Sequence, residues 1–236
     1  MADLITLGAA QLVREIRLGA VTPLEVVDAH IARIESVNFS INAMVTPLFE
    51  EARKQARNAW ERVRKGNDDL PPLFGLPVTV KDSLAVQGVR FTGGSPLYRD
   101  HIAGSDAGAV QRVKSAGAII LGKTNCTEMS ASVETENPVF GLTRNPWNLE
   151  CSAGGSSGGE GALIAAGGSP LGLAADIAGS IRIPSALCGI VGLKPTSGRI
   201  PNDGHLPVAP AGVATWNTVG PMARRVEDLG LALSVL

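Results

Sequence analysis

The 236-residue chain is 44% hydrophobic and 18% charged, with a formal net charge of −1, which fits a globular protein with a substantial core. It has no basic surplus and only 4% aromatic residues, so it lacks the phosphate-neutralising charge and stacking platforms of nucleic-acid binders, and no nucleic-acid partner is expected. No apolar run approaches the roughly 18 residues of a transmembrane segment, the charges scattered through residues 1–19 exclude a secretory signal, and Cys126, Cys151 and Cys188 lack metal-ligand spacing and read as reduced thiols of a cytoplasmic protein without a metal or cofactor.

Leu12, Val13, Ile16 and Leu18 recur at helical spacing over residues 9–19. Thr22-Pro23-Leu24-Glu25 marks a second helix start: threonine caps, proline suits the first helical position and Glu25 completes a capping box. That helix runs to about Val37 and buries Val26, Val27, Ile31 and Ile34. A charge-rich helix over about 48–65 pairs Glu50 with Lys54 and Glu61 with Lys65, turning Ala52, Ala56, Trp60 and Val63 inward. Asn67–Pro72 interrupts the chain. Leu76–Val80 then reads as a strand with Lys81 and Asp82 at its end. A helix over 105–116 starts on Ser105 or Asp106, Ala118–Lys123 is a short buried strand, and 124–155 is loop-rich. Ser156 or Ser157 caps a helix reaching about Ala166, Leu171–Ala175 is a continuous apolar strand, and Pro184 suits the first turn of another short helix. After Gly220 the chain runs into an amphipathic helix. The pattern is α/β, a single domain over 1–236 with helices covering a largely buried sheet.

Glycine and serine dominate 151–189, yet the apolar blocks Ala162–Ala166 and Leu171–Ala175 require burial, so the stretch is no solvated linker. It also lacks the Gly-Lys-Ser/Thr ending of a phosphate loop. A serine nucleophile needs a base. His30 lies in a helix as an ordinary structural histidine, and His101 and His205 lie in loops with no carboxylate that sequence can pair. Gly155-Ser156-Ser157-Gly158-Gly159 matches the G-x-S-x-G elbow, but that elbow follows a buried strand and 145–153 is polar. The other candidate base is a lysine. Lys54, Lys65, Lys114, Lys123 and Lys194 read as solvated, whereas Lys81 ends a buried strand against glycine-rich turns. To act near neutral pH it must fall from about 10.4 by some 3 units, roughly 4 kcal/mol, which burial can supply. Asp82 would oppose this, but alternation along the strand turns it to the opposite face. Taken without further context, these residues fit a strand-end lysine paired with a surface carboxylate better.

Six blocks occur in a distinctive order: Gly75-Leu76-Pro77-Val78-Thr79-Val80-Lys81-Asp82, Gly122-Lys123-Thr124-Asn125, Asn145-Pro146-Trp147, Gly154-Gly155-Ser156-Ser157-Gly158-Gly159, Asp176-Ile177-Ala178-Gly179-Ser180-Ile181-Arg182 and Gly192-Leu193-Lys194-Pro195-Thr196. Together they resemble the amidase signature family, from about residue 72 to the end. The resemblance implies a central mixed, largely parallel sheet covered by helices on both faces. It also implies a Ser–cis-Ser–Lys triad in which Lys81 is the base, Ser156 relays the proton through a residue preceded by a cis peptide bond, and Ser180 attacks the amide carbonyl to form an acyl-enzyme. The backbone N–H groups of Ile177, Ala178, Gly179 and Ser180 would then form the oxyanion hole. Ser157 is a hydrogen-bonding neighbour, and Asp176 and Arg182 brace the turn.

Two departures from the family pattern stand out. The family usually has Asp-x-Gly-Gly-Ser at the nucleophile turn, and Ala178 replaces the first glycine; if that position requires positive φ, alanine adds roughly 1–2 kcal/mol of strain. Family members are also about twice as long, so the chain reads as an N-terminal portion whose sheet is incomplete, suited to self-association or to pairing with a C-terminal half. Gly159–Ile164 and Ser169–Leu173 are similar to the fatty acid amide hydrolase branch, in which Met129 and Ser130 would border the pocket. Ile183 differs from the glutamine expected in the glutamyl-tRNA amidotransferase branch. The expected function is hydrolysis of a small-molecule carboxylic amide, fatty-acid or general, to an acid plus ammonia or an amine. The alternatives are a non-catalytic binding or assembly module and a component of a glutamyl-tRNA amidotransferase.

Overall fold

The computed structural model describes residues 4–65 and 69–236; Asn67 and Asp68, in the expected interruption before Pro72, lie outside them. Helix α1 (Ala9–Arg17) buries Leu12, Val13 and Ile16. Helix α2 (Pro23–Ile41) begins as its sequence dictates: the Glu25 N–H donates to Thr22 Oγ1 and the Thr22 N–H donates to the Glu25 carboxylate. Such a cap is worth about 1 kcal/mol. The helix continues past Val37 to an Asn42 C-cap in the left-handed conformation. Strand β1 (Met44–Pro47), absent from the sequence reading, follows at once. Helix α3 (Phe49–Arg64) carries surface ion pairs at i,i+3, Arg53–Glu50, Lys54–Glu51 and Arg64–Glu61, in place of the expected Glu50–Lys54 and Glu61–Lys65 pairs.

The remaining elements are β2 (Pro77–Lys81), α4 (Gly108–Ser115), β3 (Ile119–Thr124), β4 (Arg144–Asn145), β5 (Asn148–Ser152), α5 (Gly158–Ala165), β6 (Leu171–Asp176), α6 (Arg182–Cys188), β7 (Val191–Gly192), β8 (Thr218–Ala223) and α7 (Val226–Val235). Ala107, not Ser105 or Asp106, precedes α4. Asp106 instead accepts the Gln87 N–H and pairs with Lys114. Ser157 holds the N-cap position of α5 without capping it, its hydroxyl directed to the Ala175 carbonyl. Residues 145–153, read as polar and irregular, overlap the β4–β5 ribbon. The segment before the last helix, read only as a lead-in, is β8.

Six strands form one mixed sheet in the order β1-β3-β2-β6-β8-β7. Its centre is parallel, β2 pairing with both β3 and β6, and its flanks are antiparallel. Helices cover both faces. One core gathers Val78 and Val80 of β2 and Leu171 and Leu173 of β6 with α1, α4 and α7. A second gathers Ile119 and Leu121 of β3 with α2, α3 and α5. Since side chains alternate along a strand, placing Val78 and Val80 in the first core directs Thr79 and Lys81 toward α5. That parity positions the site.

Candidate active site

Lys81 is fully buried, and its Nζ lies 2.6 Å from Ser156 Oγ. Burial lowers its pKa to about 8, against the opposing pull of Cys126, Asp176 and Glu160. Asp82, next along the chain, turns to the opposite side. Its Oδ1 accepts from Lys123 Nζ at 3.2 Å and its Oδ2 from the Thr92 hydroxyl at 2.5 Å and the Thr92 N–H at 3.2 Å. Lys123, expected to be solvated, is wholly buried; it also donates to the Arg90 carbonyl and lies 5.3 Å above the Phe91 ring. The sheet thus separates two buried lysines by partner: Lys123 has a carboxylate, and Lys81 meets a hydroxyl.

Ser156 follows a cis peptide bond after Gly155. Gly155 has no room for a side chain, because a Cβ there would lie 2.7 Å from the backbone of Val133 and Glu134. The Ser156 carbonyl accepts the Thr127 N–H, and the Ser157 N–H donates to the Ser180 carbonyl at 3.2 Å, tying the two serine-bearing segments together. Ser180 lies in the turn between β6 and α6. Asp176 organises that turn: its carboxylate accepts the N–H groups of Gly179 (2.8 Å), Ile181 (3.0 Å) and Arg182 (3.3 Å) and both arms of the Arg182 guanidinium (2.9 and 3.0 Å). Burial raises the Asp176 pKa, but Arg182 and the three backbone donors outweigh it and hold the carboxyl below its usual range. Gly179 has φ +119°, whereas Ala178 is not among the positive-φ residues and is exposed. Alanine therefore brings no left-handed strain to the turn. Gly179 gives its N–H to Asp176, whereas the N–H groups of Ile177, Ala178 and Ser180 have no acceptor among the described residues.

Ser156 and Ser180 open onto one small recess of about 10 Å³, lined also by Ser130, Ala175, Ile177, His205 and Asn217. Ser130 is therefore at the site. Met129 sits beside it with its N–H on the Gly93 carbonyl and does not line the recess. Glu160 and Asn217 of this neighbourhood were not singled out from sequence, and His205, set aside there as a loop histidine, lines the recess. Glu160 of α5 is fully buried and accepts the hydroxyls of Thr79 (2.7 Å) and Thr124 (2.8 Å). Burial pushes its pKa up to about 8 against those two hydrogen bonds and Lys81. A glutamate four residues beyond Ser156, on the first turn of a helix, was the available signal. His205 and Asn217 arrive on separate loops far along the chain, and no local pattern marks them. Among the described residues, no group of three or more His, Cys, Asp or Glu could hold a metal ion, and no helix is long and apolar enough to cross a membrane.

The family model described as Amidase matches residues 25–236. The A-type component of glutamyl-tRNA(Gln) amidotransferase from Roseiflexus sp. (strain RS-1) is 45% identical over 92% of this chain and 44% of its own length. Fatty-acid amide hydrolase 2-A of Danio rerio is 44% identical over 99% of this chain and 45% of its own. A solved structure of a vestigial protein complex, bearing on the origins of an s-triazine catabolic enzyme, superposes with a TM-score of 0.92 at 40% identity, covering 97% of this chain and 49% of the other. The chain spans about half the length of these relatives.

Proposed function

The chain belongs to the amidase family, and on that premise we propose that it contributes the catalytic centre of a serine amidohydrolase. The observation that carries this is the buried 2.6 Å contact between Lys81 Nζ and Ser156 Oγ at a recess shared with Ser180. A lysine whose pKa burial has lowered can accept a proton near neutral pH, and a hydroxyl between it and the nucleophile provides the path. Ser180 Oγ attacks the amide carbonyl carbon, its proton passing to Ser156 and from Ser156 to Lys81. Charge develops on the carbonyl oxygen within reach of the Ile177 and Ala178 N–H groups, where each donor is worth about 2.7–4 kcal/mol of transition-state stabilisation. Ser156 then protonates the leaving nitrogen, the C–N bond breaks, and water releases the acid from the acyl-enzyme.

Identity separates the two relatives by a single percentage point, so it favours neither the fatty-acid branch nor the amidotransferase branch, and the substrate is assigned only as a carboxylic amide. Exposed Trp147, Val208 and Trp216 offer apolar surface to a partner or to a second copy. A fluorophosphonate probe tests the reading. Labelling of the folded chain that disappears in Ser180→Ala supports it, whereas a folded chain that takes no label is a binding or assembly module instead.

A further inference from the structure

Glu160 is a wholly buried acid that the proton path from Ser180 to Lys81 leaves unused. Its carboxylate lies over the three central strands of the sheet. Oε2 accepts the Thr79 hydroxyl of β2 at 2.7 Å, and Oε1 accepts the Thr124 hydroxyl of β3 at 2.8 Å. Gly172 of β6 leaves open the space the carboxyl fills, since a Cβ there would lie 2.7 Å from Glu160 Cδ. Both hydroxyls belong to immediate neighbours of Lys81. Thr79 precedes it by two positions and shares its face of β2, and Thr124 is its partner across the parallel ladder. Paired strands lie about 4.8 Å apart, so a carboxylate seated on these two threonines is seated beside Lys81.

Proton transfer turns Lys81 into an ammonium inside a dry site, where a charge without a partner is costly. Each element around the lysine presents a candidate partner. Cys126, just beyond β3, is pushed up to about 12 by burial and stays a neutral thiol. Asp176, at the end of β6, already accepts three N–H groups and both arms of Arg182. His205 is lowered to about 4 by burial and by Lys81 itself, so it is a neutral ring. Asp82 turns to the other side of β2, where Lys123 engages it. That leaves Glu160 of α5, whose partners are hydroxyls and not a cation. Burial pushes its carboxyl up to about 8, against the bonds from Thr79 and Thr124 and the charge of Lys81. It therefore ionises over the range in which Lys81, lowered to about 8 by burial, becomes a neutral base. The form of the site that can accept a proton is a neutral amine next to an ionised carboxylate.

We propose that Glu160 is a positioning residue for the base: seated on Thr79 and Thr124, its carboxylate supplies the counter-charge with which Lys81 holds the proton passed on by Ser156. As Ser180 Oγ bonds to the carbonyl carbon, its proton moves to Ser156 and the Ser156 proton to Lys81 Nζ, while Glu160 gains none. As the C–N bond breaks, a proton returns from Lys81 through Ser156 to the leaving nitrogen. This assignment rests on the reading of Lys81 as the base of a serine amidohydrolase.

The coupling is read on Lys81 itself. The full chain carrying Ser180→Ala is prepared with lysine isotope-enriched at Cε, and the Lys81 resonance is identified by its loss in Lys81→Met. Its chemical shift is then followed from about pH 6 to 11, a range that spans perturbed and ordinary lysines. Glu160→Gln keeps the shape of the side chain and removes the charge, and Lys81 is expected to titrate about one unit lower than in the parent. Should Glu160→Gln unfold the chain, Thr124→Val is the second variant. Without that donor Glu160 ionises at higher pH, and Lys81 should again move down, by less. A Lys81 midpoint that stays in place or rises in the folded variant overturns the proposal, because a purely structural glutamate would leave it unmoved. The titration needs no working nucleophile, so it fails or succeeds independently of fluorophosphonate labelling.

Discussion

Replacing Gly172 by alanine tests how the site is held together. Gly172 lies on β6 directly beneath Glu160, and an alanine Cβ there would lie 2.7 Å from Glu160 Cδ and closer still to Oε2. Glu160 cannot swing aside freely, because it is buried on α5 and fixed by the hydroxyls of Thr79 and Thr124. Displacing it breaks both hydrogen bonds, each break costing roughly 1–3 kcal/mol when a buried group loses its partner. Overpacking adds about 1–3 kcal/mol. The expected loss for Gly172→Ala is therefore about 3–9 kcal/mol, read as a shift of the urea midpoint followed by tryptophan fluorescence. Glu160→Ala should also destabilise, but it vacates the space the new methyl needs. The double variant is then expected to be more stable than the sum of the single losses implies, by at least about 1 kcal/mol. Strict additivity, or a loss below about 1 kcal/mol for Gly172→Ala, would show that glycine and carboxyl do not share one space. The consequence reaches the chemistry, since Glu160 joins the segment carrying Ser156 to the strand carrying Lys81.

The pH profile follows from Lys81. Fluorophosphonate labelling should rise with pH through about 8, as neutral amine replaces ammonium, and Lys81→Ala should remove both the dependence and most of the rate; a fully reactive Lys81→Ala would eliminate the base. The same shift sets a sign for stability. The folded pKa lies below the 10.5 of an unperturbed lysine, so the native state binds fewer protons and stability rises between about pH 8 and 10.5. Below that window the buried ammonium costs about 3 kcal/mol, and Lys81→Met should exceed the parent in urea resistance at pH 6, with the gap narrowing by pH 10. Ala178→Gly should leave the labelling rate within about twofold, because the alanine it replaces is exposed and free of left-handed strain; a tenfold loss would mean that the methyl contacts the substrate.

What the sequence disclosed was chiefly local. Thr22 and Glu25 announce their capping box within four residues, and the apolar runs at Leu76–Val80 and Leu171–Ala175 are buried strands. The ordered blocks around Lys81, Ser156 and Ser180 mark positions that converge in space although distant along the chain. Elements whose stability comes from neighbours were harder to read. Strand β8 contains Gly220 and Pro221 and exists because β6 and β7 pair with it on either side. His205 and Asn217 reach the recess only through long-range packing.

The two buried lysines show what a local reading can and cannot determine. Lys81 and Lys123 both occur near the ends of apolar strands, and composition gives no means of ranking them. The difference is one of sheet register: Val80 pairs with Lys123 across the parallel β2–β3 ladder, while Lys81 pairs with Thr124. Neighbours across a ladder share a face, and successive residues alternate. Lys123 therefore falls on the side to which Asp82 turns and stays paired, whereas Lys81 falls with Thr124, Glu160 and Ser156 on the other. Burial lowers the pKa of both lysines, and at Lys123 the Asp82 carboxylate opposes that shift, whereas Lys81 has the Ser156 hydroxyl at hydrogen-bond distance. Moving either strand by one residue would exchange those environments. Register alone gives the proposed base a hydroxyl partner and Lys123 a carboxylate, acting on two side chains of the same kind.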